Sequence, residues 1–444
     1  MLAVLSHRTY RRLFTAQAVA LVGTGLATVA LGLLAHDLAG PDAGAVLGTA
    51  LAIKMVAYVG VAPIASALTA RLPRKTLLVA LDLVRAGIAL ALPWVDQVWQ
   101  VYLLIFLLQA ASAAFTPAFQ ATIPEILTEE RDYTRALSLS RLSYDLESLL
   151  SPLLAAAVLT LVAADDLFVG TAIGFVGSAL LVVSAALPAG REPRPGDRTI
   201  AATTKGVRIY LATPRLRGLL AVHLAVAAAG SMVLVNTVTY VRDLLGRDDT
   251  AVAVALAANG FGSLVAAFAL PAILDRFADR VVMLRACAAL AAVLLLAIPV
   301  TALLDDSRWA ALLALWALIG AGSSLVLTPG GRLLRRSAHP ADLPAVFAAD
   351  FSLSHACWLL CYPLAGWLAT AAGMPVALAA LAAITATATA LAVRFWPARD
   401  PELVEHEHDL DHGHDHLADA DLVDGHWRHA HPYRIDDLHA RWPA

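Results

Sequence analysis

The chain has 444 residues, of which 59% are hydrophobic and only 15% are charged, and its mean hydropathy is +0.70. Soluble domains carry about 25% charged residues, so this chain has too little polar surface to cover its apolar residues in water. Composition therefore excludes an ordinary soluble protein, and we expect a lipid bilayer to surround most of the chain. The net charge of −3 gives no reason to expect a nucleic-acid partner.

Twelve segments are apolar over about 20 residues, the length that a helix needs to cross the hydrocarbon core. Helices are expected because an open strand would leave unpaired backbone groups in lipid. We number the segments spans 1 to 12, at residues 13–38, 44–69, 76–93, 98–121, 142–163, 167–188, 216–241, 250–274, 281–303, 309–329, 346–371 and 376–396. The predicted fold class is an all-α membrane protein with twelve transmembrane helices.

The connections between the spans alternate in charge. Those at one end of the helices, which we call the Arg-rich end, carry most of the basic residues before the tail. Those at the other end, the Asp-rich end, carry ten aspartates and only three arginines. By the positive-inside rule the Arg-rich end faces the cytoplasm. With an even number of spans, both termini are then expected in the cytoplasm.

The spans form two groups of six, separated by a connection at 189–215 whose Pro, Gly and basic residues predict a solvated hinge. Corresponding signals recur, since Thr116-Pro117 ends span 4 and Thr328-Pro329 ends span 10, and a proline lies within both span 5 and span 11. The predicted organisation is an N-terminal bundle at 1–188, a cytoplasmic linker at 189–215, a C-terminal bundle at 216–397 and a tail at 398–444.

A charged motif follows span 2 and recurs after span 8. Its basic and acidic members are Arg71, Arg74 and Lys75 in the first copy and Asp275, Arg276 and Arg280 in the second. Here the chain resembles the major facilitator superfamily, whose mark is a Gly-x-Leu-x-Asp-Arg-x-Gly-Arg-Arg loop after these two spans. The resemblance implies a monomeric transporter, not an enzyme, with two six-helix bundles and an alternating-access site between them at mid-depth.

The first copy of the motif departs from the family pattern. Ala70 stands where the family has the aspartate that is implied to lock one conformation. Asp82 and Arg85 lie about one helical turn apart on span 3, and we expect this pair to replace the missing lock in part.

Three stretches around spans 4 and 5 are specific to one branch of this superfamily. They read Phe115-Thr-Pro-Ala-Phe-Gln-Ala-Thr-Ile-Pro-Glu125, Tyr133-Thr-Arg-Ala-Leu-Ser-Leu-Ser-Arg141 and Tyr144-Asp-Leu-Glu-Ser-Leu-Leu-Ser-Pro152. They resemble the branch of the superfamily that holds the enterobactin-type exporters and the bacterial nickel-resistance exporters, and the nickel exporters also end in a histidine-rich tail. The resemblance implies export of Ni²⁺ or Co²⁺ that confers metal resistance.

The last 45 residues hold twelve acids, three arginines and nine of the fourteen histidines. Their net charge of −9 predicts a soluble, disordered tail. His-x-His spacing recurs in it and lets two imidazoles converge on one ion, with acids able to complete the coordination shell. The predicted metal ligands are His406, His408, His412, His414, His416, His426, His429 and His431.

Imidazole binds Ni, Co, Cu and Zn, and the affinity order favours Cu and Zn over Ni and Co, so the tail alone does not select the metal. Acidification should release the ion, because only the neutral ring is a ligand. The alternatives are a solvated acidic tail and an expression tag, although a tag usually has consecutive histidines. The metal would be a substrate and a tail ligand, and no resident cofactor is expected.

Ionisable residues within spans are costly and usually face a cavity. Lys54 in span 2 is predicted to be a gating or proton-coupling charge, or a lysine that pairs with an acid for stability. In span 5, Asp145 and Glu147 point to different sides of a helix. Asp145 is expected to pair with Arg141 four residues earlier, which leaves Glu147 as the better site for a proton or a cation.

Spans 7 and 11 add candidates for metal ligands or proton carriers. His223 lies in span 7, and His355, Cys357 and Cys361 lie in span 11. The alternative for the histidines is a hydrogen bond between helices, and the alternative for the cysteines is apolar packing. Sequence alone does not decide between these roles.

A proton-driven exporter of divalent metal, Ni²⁺ with Co²⁺ next, combines these observations, because a cytoplasmic tail would meet the ion before it leaves. The sequence has no P-loop, so an ion gradient is the expected energy source. The alternative is a proton-coupled exporter of a drug or siderophore-like molecule, with the tail as a metal sensor. A membrane metal receptor that signals without transport is the third hypothesis.

Overall fold

The computed structural model describes most of the chain. The described ranges are 2–61, 73–127, 154–187, 199–301, 305–339, 342–398, 404–409, 421–423, 426–431 and 433–435, with isolated residues at 129, 132, 136, 139, 140, 143, 147, 151 and 442. Several predicted site residues lie outside the described residues, namely Arg71, Asp145, His412, His414 and His416.

Helices occupy the predicted spans. Their bounds are Arg8–Ala39 for span 1, Ala43–Val56 with a π-helical turn at Ala57–Val61 for span 2, Arg74–Ala91 for span 3, Val98–Ile126 for span 4, Asp166–Ser184 for span 6, Pro214–Thr239 for span 7, Asp249–Leu274 for span 8, Asp279–Val300 for span 9, Asp305–Leu327 for span 10, Leu343–Ala372 for span 11 and Met374–Phe395 for span 12. Span 5 is described at isolated positions and as helix over 154–159.

The helices have the length and the surface of membrane spans. Within the described residues, ten helices are long and apolar enough to cross a bilayer, and the first of them, Arg8–Gly60, contains both span 1 and span 2. Large apolar side chains cover their outer faces, with Phe268 78% exposed and Ile173 67% exposed. A surface this apolar fits contact with lipid and not with water. The predicted all-α membrane fold is confirmed.

The two groups of six spans, which we call the first half and the second half, repeat one another in register. Spans 1, 2, 3, 4 and 6 begin 205 to 208 residues before spans 7, 8, 9, 10 and 12 respectively. The turn glycines repeat as well, because Gly40 after span 1 and Gly246 after span 7 both have positive φ, at 51° and 60°. Only glycine adopts this conformation without strain, so the repeat extends to the backbone of the turns.

Each half closes its last helix in the same way. The Lys75 Nζ donates to the carbonyl of Ala185 just after span 6 (3.1 Å), and the Arg280 Nε donates to the carbonyl of Trp396 just after span 12 (3.0 Å). Carbonyls at a helix C-terminus lack intrahelical donors and carry partial negative charge, which a cation stabilises. The basic residues of the repeated motif therefore serve as helix caps within their own half.

The halves meet most closely along spans 2 and 11. A Cβ on Gly48 would approach the Tyr362 carbonyl oxygen within 2.5 Å, so only glycine permits this approach of the two backbones. Nearby, the Trp367 Nε1 donates to the Thr49 Oγ1 across the same contact (3.1 Å). Both contacts lie toward the Asp-rich end of the two spans.

The linker contains a helix that the sequence did not predict. Residues 189–215 were expected to form a solvated hinge, but Thr199–Ala212 is helical and packs against the start of span 11. Lys205 pairs with Asp342 at 2.6 Å, and a Cβ on Gly206 would meet the Ala345 backbone. The polar residues that suggested a hinge are therefore partly used in contacts with the second half.

The tail contains a small antiparallel sheet. Its strands are β1 (Val404–Asp409), β2 (Asp421–Val423) and β3 (His426–His431), in the order β1-β3-β2. The expectation of a disordered tail over 398–444 does not hold for these stretches. The prediction relied on charge density, whereas pairing of three short strands supplies backbone hydrogen bonds that composition does not reveal.

Candidate functional site

A π-helical turn in span 2 contacts span 11 across the boundary between the halves. The turn Ala57–Val61 places the Tyr58 ring 5.8 Å from the His355 ring and 6.2 Å from the Phe351 ring of span 11. Such turns are rare and recur at functional sites. Here it brings an aromatic side chain of the first half against an ionisable residue of the second.

The contacts of His355 fix which ring nitrogen carries the hydrogen. Its Nδ1 lies 2.6 Å from the Phe351 carbonyl oxygen, one turn earlier on the helix. A carbonyl only accepts hydrogen bonds, so Nδ1 must donate. In the neutral ring the Nε2 lone pair is then available to take a proton or bind a ligand. The sequence prediction that His355 is a proton carrier or ligand is compatible with this geometry.

The Asp350 carboxylate contacts polar side chains from two other helices. Its Oδ1 accepts a hydrogen bond from the Tyr210 hydroxyl of the linker helix (2.9 Å), and the His223 Nε2 of span 7 lies 3.1 Å from the same oxygen. The predicted candidate His223 is thereby joined to an acid that the sequence analysis did not select. One carboxylate holds together the linker helix, span 7 and span 11.

Lys54 on span 2 and Glu147 on span 5 are ionisable groups of the first half, and we call them the charged pair of the first half. Their charges interact, and the Lys54 charge also interacts with His355 across the contact between the halves. Glu147 lies close against span 1, where a Cβ on Gly25 would come within 2.9 Å of its Oε1. Both roles predicted for Lys54, pairing with an acid and proton coupling, stay predictions.

A cavity of about 20 Å³ lies beside Lys54 in the first half, which is room for about one water molecule. Apart from Lys54, its polar lining residues are Thr24, Thr28, Gln109 and Ser112 of spans 1 and 4, and the rest of its lining is apolar. The Gln109 Oε1 is buried and has no hydrogen-bond partner among the described residues. A water molecule in the cavity would satisfy it, because a buried amide oxygen without a partner is costly.

The cysteines of span 11 are less suited to bind an ion. Cys361 is fully buried in the apolar core, and the Cys357 Sγ donates to the Leu353 carbonyl at 3.4 Å. Across the part of the chain that the structure describes, no three His, Cys, Asp or Glu side chains are grouped as metal ligands. In this conformation the cysteines therefore follow the packing alternative.

Together these residues form a series of ionisable groups that crosses from one half to the other. Glu147 and Lys54 lie in the first half, and His355, Asp350 and His223 lie in the second. Carboxylate and imidazole side chains such as these can bind and release protons, whereas lysine normally stays protonated. Tyr58 and Phe351 pack against His355, where the series crosses between the halves.

A model of the Major Facilitator Superfamily matches residues 13–303 and, in a second alignment, residues 219–430. The chain belongs to the major facilitator superfamily. It is thus a multi-pass membrane transporter of the secondary type, as the repeated motif led us to expect, and not an enzyme. No curated protein sequence matches the chain.

Solved structures of superfamily transporters share the fold at low sequence identity. A bacterial homologue of the human lysosomal transporter Spinster, inward-facing and unoccupied, has a TM-score of 0.65 at 12% identity and covers 86% of this chain and 95% of its own. A POT family transporter with a thioalcohol-conjugated peptide has 0.67 at 12%, covering 87% and 96%. A D-xylose–proton symporter has 0.64 at 13%, covering 88% and 98%. At this identity the likeness concerns the fold alone.

The superfamily motif residues act within their halves in this conformation. Lys75 and Arg280 cap spans 6 and 12 as described above, while Asp275 and Arg276 are exposed. Arg74 has an interaction of its own at the start of span 3. Their predicted part in a conformational switch stays a prediction.

Asp82 and Arg85 pair as predicted, but deep inside the first half. Arg85 bonds to Asp82, and its guanidinium lies between the rings of Phe115 (4.2 Å) and Phe175 (4.5 Å). The Ser178 hydroxyl of span 6 donates to the Asp82 carboxylate at 2.8 Å. The described contacts thus tie spans 3, 4 and 6 together. The expected part of Asp82 and Arg85 in replacing the missing conformational lock stays a prediction.

The tail sheet brings histidine positions into register. His406 on β1 pairs with His429 on β3, and Val404 pairs with His431. Alternate and opposed positions of an antiparallel pair belong to one face of the sheet. Positions 406, 408, 429 and 431 therefore share a face, a grouping that spacing along the sequence did not reveal.

The chain after β3 returns to the Arg-rich end of the transporter. Ile435 is fully buried in the core and Tyr433 is nearly so, and the Tyr433 ring packs edge-on against Trp442 at 5.3 Å. Trp442 in turn covers the guanidinium of Arg215 at the start of span 7, 5.0 Å away. We call Tyr433, Ile435 and Trp442 the tail anchor. It fixes the tail beside the first helix of the second half.

Three side-chain contacts were not predicted from the sequence, namely Tyr210 with Asp350, His223 with Asp350 and Arg332 with Asp279. Asp350 was passed over in favour of its neighbours, and Tyr210 lay in a segment interpreted as a hinge. Arg332 pairs with Asp279 at 3.1 Å, which joins the start of span 9 to the short helix Gly330–Ser337. An acid at a helix N-terminus is a recognisable signal, and it could have identified Asp279.

Proposed function

We propose that the chain is a proton-driven exporter of divalent transition-metal cations, with Ni²⁺ as the first cargo and Co²⁺ as the second. Secondary transport follows from the superfamily. The proposal that the cargo is a metal rests on one observation. The strand register places histidine positions 406, 408, 429 and 431 on one face of the tail sheet. Imidazoles so grouped suit Ni²⁺, Co²⁺, Cu²⁺ and Zn²⁺.

The direction of transport is supported by the position of the tail. The tail anchor lies at the Arg-rich end, which the positive-inside rule assigns to the cytoplasm. A metal-binding sheet at that end raises the local concentration of the ion before it enters the path. Export is favoured over import for this reason, and the protein then belongs in a bacterial inner membrane with both termini inside.

Proton coupling is supported by the ionisable groups between the halves. Glu147 is the proposed proton acceptor in the first half, because its interaction with Lys54 changes when it is neutralised. His355 and the Asp350–His223 pair are the proposed acceptors in the second half. Proton binding on one side and release on the other would then alternate with the contact between the halves.

Uptake into liposomes tests the proposal directly. The purified protein is placed in vesicles that contain a dye quenched by Ni²⁺, with an acidic lumen and a neutral exterior. We expect Ni²⁺ to enter as protons leave, and we expect collapse of the pH gradient to slow this entry at least ten-fold. The Glu147→Gln protein is the matched control for coupling. Uptake no faster than in protein-free vesicles would remove the metal-exporter proposal and leave a transporter of another cargo.

A second candidate is a proton-coupled exporter of an organic molecule whose tail senses metal. It is favoured by the lack of a three-ligand group among the described side chains and by Lys54, a cation that repels a divalent ion nearby. Removal of residues 401–444 separates the candidates in the same vesicles. A delivery tail lowers the apparent Ni²⁺ affinity when removed, whereas a sensing tail leaves organic-cargo transport present and insensitive to Ni²⁺.

A further inference from the structure

A cation–acid dipeptide recurs at corresponding positions of the two halves. His36-Asp37 ends span 1 and Arg242-Asp243 follows span 7, 206 residues later. The same offset separates the starts of these two spans and the turn glycines Gly40 and Gly246. The two dipeptides therefore occupy equivalent places at the Asp-rich end.

The dipeptides pair with each other reciprocally. The His36 Nε2 lies 2.6 Å from the Asp243 Oδ1, and the Arg242 Nη1 lies 2.7 Å from the Asp37 Oδ1. The cation of each half thus meets the acid of the other, as in a contact related by a two-fold axis. Both bonds join span 1 to span 7, so they exist only while the halves are closed together at this end.

Charged groups of both signs lie around the two bonds. Asp248 and Asp249 at the start of span 8 interact with the cluster, and Arg242 lies 3.5 Å from Asp249. Span 10 contributes Arg308, whose Nη1 donates to the Leu244 carbonyl, and Arg247 lies over the Trp309 ring. Besides Asp37 and Asp243 of the two bonds, two carboxylates and two arginines therefore lie near His36 and Arg242.

We propose that His36 and Arg242, with Asp243 and Asp37, form a latch at the Asp-rich end that a proton on His36 tightens. The bond between Arg242 and Asp37 stays charged, because arginine stays protonated. The other changes, because histidine gains or loses its charge between about pH 5 and 8. With neutral His36 the bond to Asp243 becomes an ordinary hydrogen bond, which is weaker than the charge-assisted one.

The direction of the pH effect on closure follows from the conformation in which the His36–Asp243 bond exists. Protonated His36 meets Asp243 only in the conformation that is closed at the Asp-rich end, so that conformation binds the proton more tightly. By linkage, acid on this side holds the end closed and alkali allows it to open. The latch would act in this way whatever the transported molecule is.

Distances between spin labels test the latch without any transport assay. The positions Pro41→Cys and Leu244→Cys are exposed on the two sides of the contact, and the native cysteines are buried. In lipid nanodiscs at pH 5 we expect mainly short distances. At pH 8 we expect the ratio of long to short distances to rise roughly five-fold, the effect of replacing a charge-assisted bond by a neutral one.

Three variants separate the latch from general effects of pH. His36→Arg should keep the short distances from pH 5 to 8, and His36→Gln should show the long distances at both pH values. The exchange His36→Arg with Arg242→His should restore the pH response, because it moves the titrating member to the other half. An unchanged distribution in the unmodified protein, or a pH response that persists in His36→Gln, would overturn the proposal.

Discussion

The two halves share their scaffold and the charged residues at the ends of their helices, but not the ionisable residues in the interior of their spans. Lys75 and Arg280 cap equivalent helices. By the 206-residue offset between spans 1 and 7 and between spans 2 and 8, however, Lys54 corresponds to Gly260 and His223 corresponds to Gln17. Residues that hold helices together have thus been kept in both copies, while charged groups inside the membrane occur in one copy each. Such asymmetry is expected where a residue acts on cargo or protons, since a cost in stability is tolerated there for function.

The largest effect is expected at the charged pair of the first half. Lys54→Met leaves Glu147 without its cation, and Glu147→Gln leaves Lys54 without its acid. Each single change should lower proton-coupled transport in vesicles at least ten-fold and should lower the melting temperature. In the double variant we expect stability to recover, with a coupling energy of about 2 kcal/mol, while transport stays low.

This result would separate function from structure at the pair. If the double variant transports normally, the pair serves stability alone. The difference between the halves at Lys54 would then not reflect a role in transport. If the single changes add without coupling, the two charges do not interact as the structure indicates.

The second effect concerns the contact between spans 2 and 11. Gly48→Ala adds a methyl group where the Tyr362 carbonyl lies, and overpacking of this kind costs about 1–3 kcal/mol. The corresponding position of span 8 is Val254, whose side chain is 38% exposed. Val254→Ala should change the free energy of unfolding by less than about 0.5 kcal/mol. Equal melting temperatures for the two variants would contradict the close approach at Gly48.

How far the sequence predicts this protein depends on whether the signal is local. Lys54 was identified because a single charge stands out in a long apolar segment, and the repeat was visible in the prolines and basic motifs. Asp350 and Tyr210 were missed because their significance lies in a contact between residues 140 positions apart. The reciprocal latch was missed for the same reason, although its four members are adjacent in pairs along the chain.

The tail and the linker show the limits of composition. Both were interpreted as unstructured because they are rich in charge, Pro or Gly, yet Thr199–Ala212 is helical and the tail has three strands. In each case tertiary contacts supply what local propensity lacks. Lys205 pairs with Asp342, and the buried Ile435 holds the tail. Apolar residues between the charges were the available signal.

The third effect tests the carboxylate that joins the linker helix to the second half. Tyr210→Phe removes one hydrogen bond to Asp350 and should cost about 1 kcal/mol. Its specific consequence is faster hydrogen exchange in 199–212, because the helix loses one of its ties to span 11. The matched control is Thr389→Val, which removes a hydroxyl bond within span 12 and should leave exchange in the linker unchanged. Unaltered exchange in Tyr210→Phe would show that Lys205 and the packing at Gly206 are enough.

The smallest effect concerns the two helix caps, where the halves should behave alike. Lys75→Met and Arg280→Met each remove a cation from the carbonyls at the end of a span, a contribution of about 0.3–1 kcal/mol near a surface. We expect similar losses in the two variants, measured as the shift in melting temperature at low and at high salt, and we expect high salt to reduce both. The salt test matters because a cap acts through charge, whereas lost packing of the long side chain would not respond to salt. A loss confined to one variant would mean that the repeated motif keeps a structural role in only one half, and the other copy would then be free to act in the conformational switch.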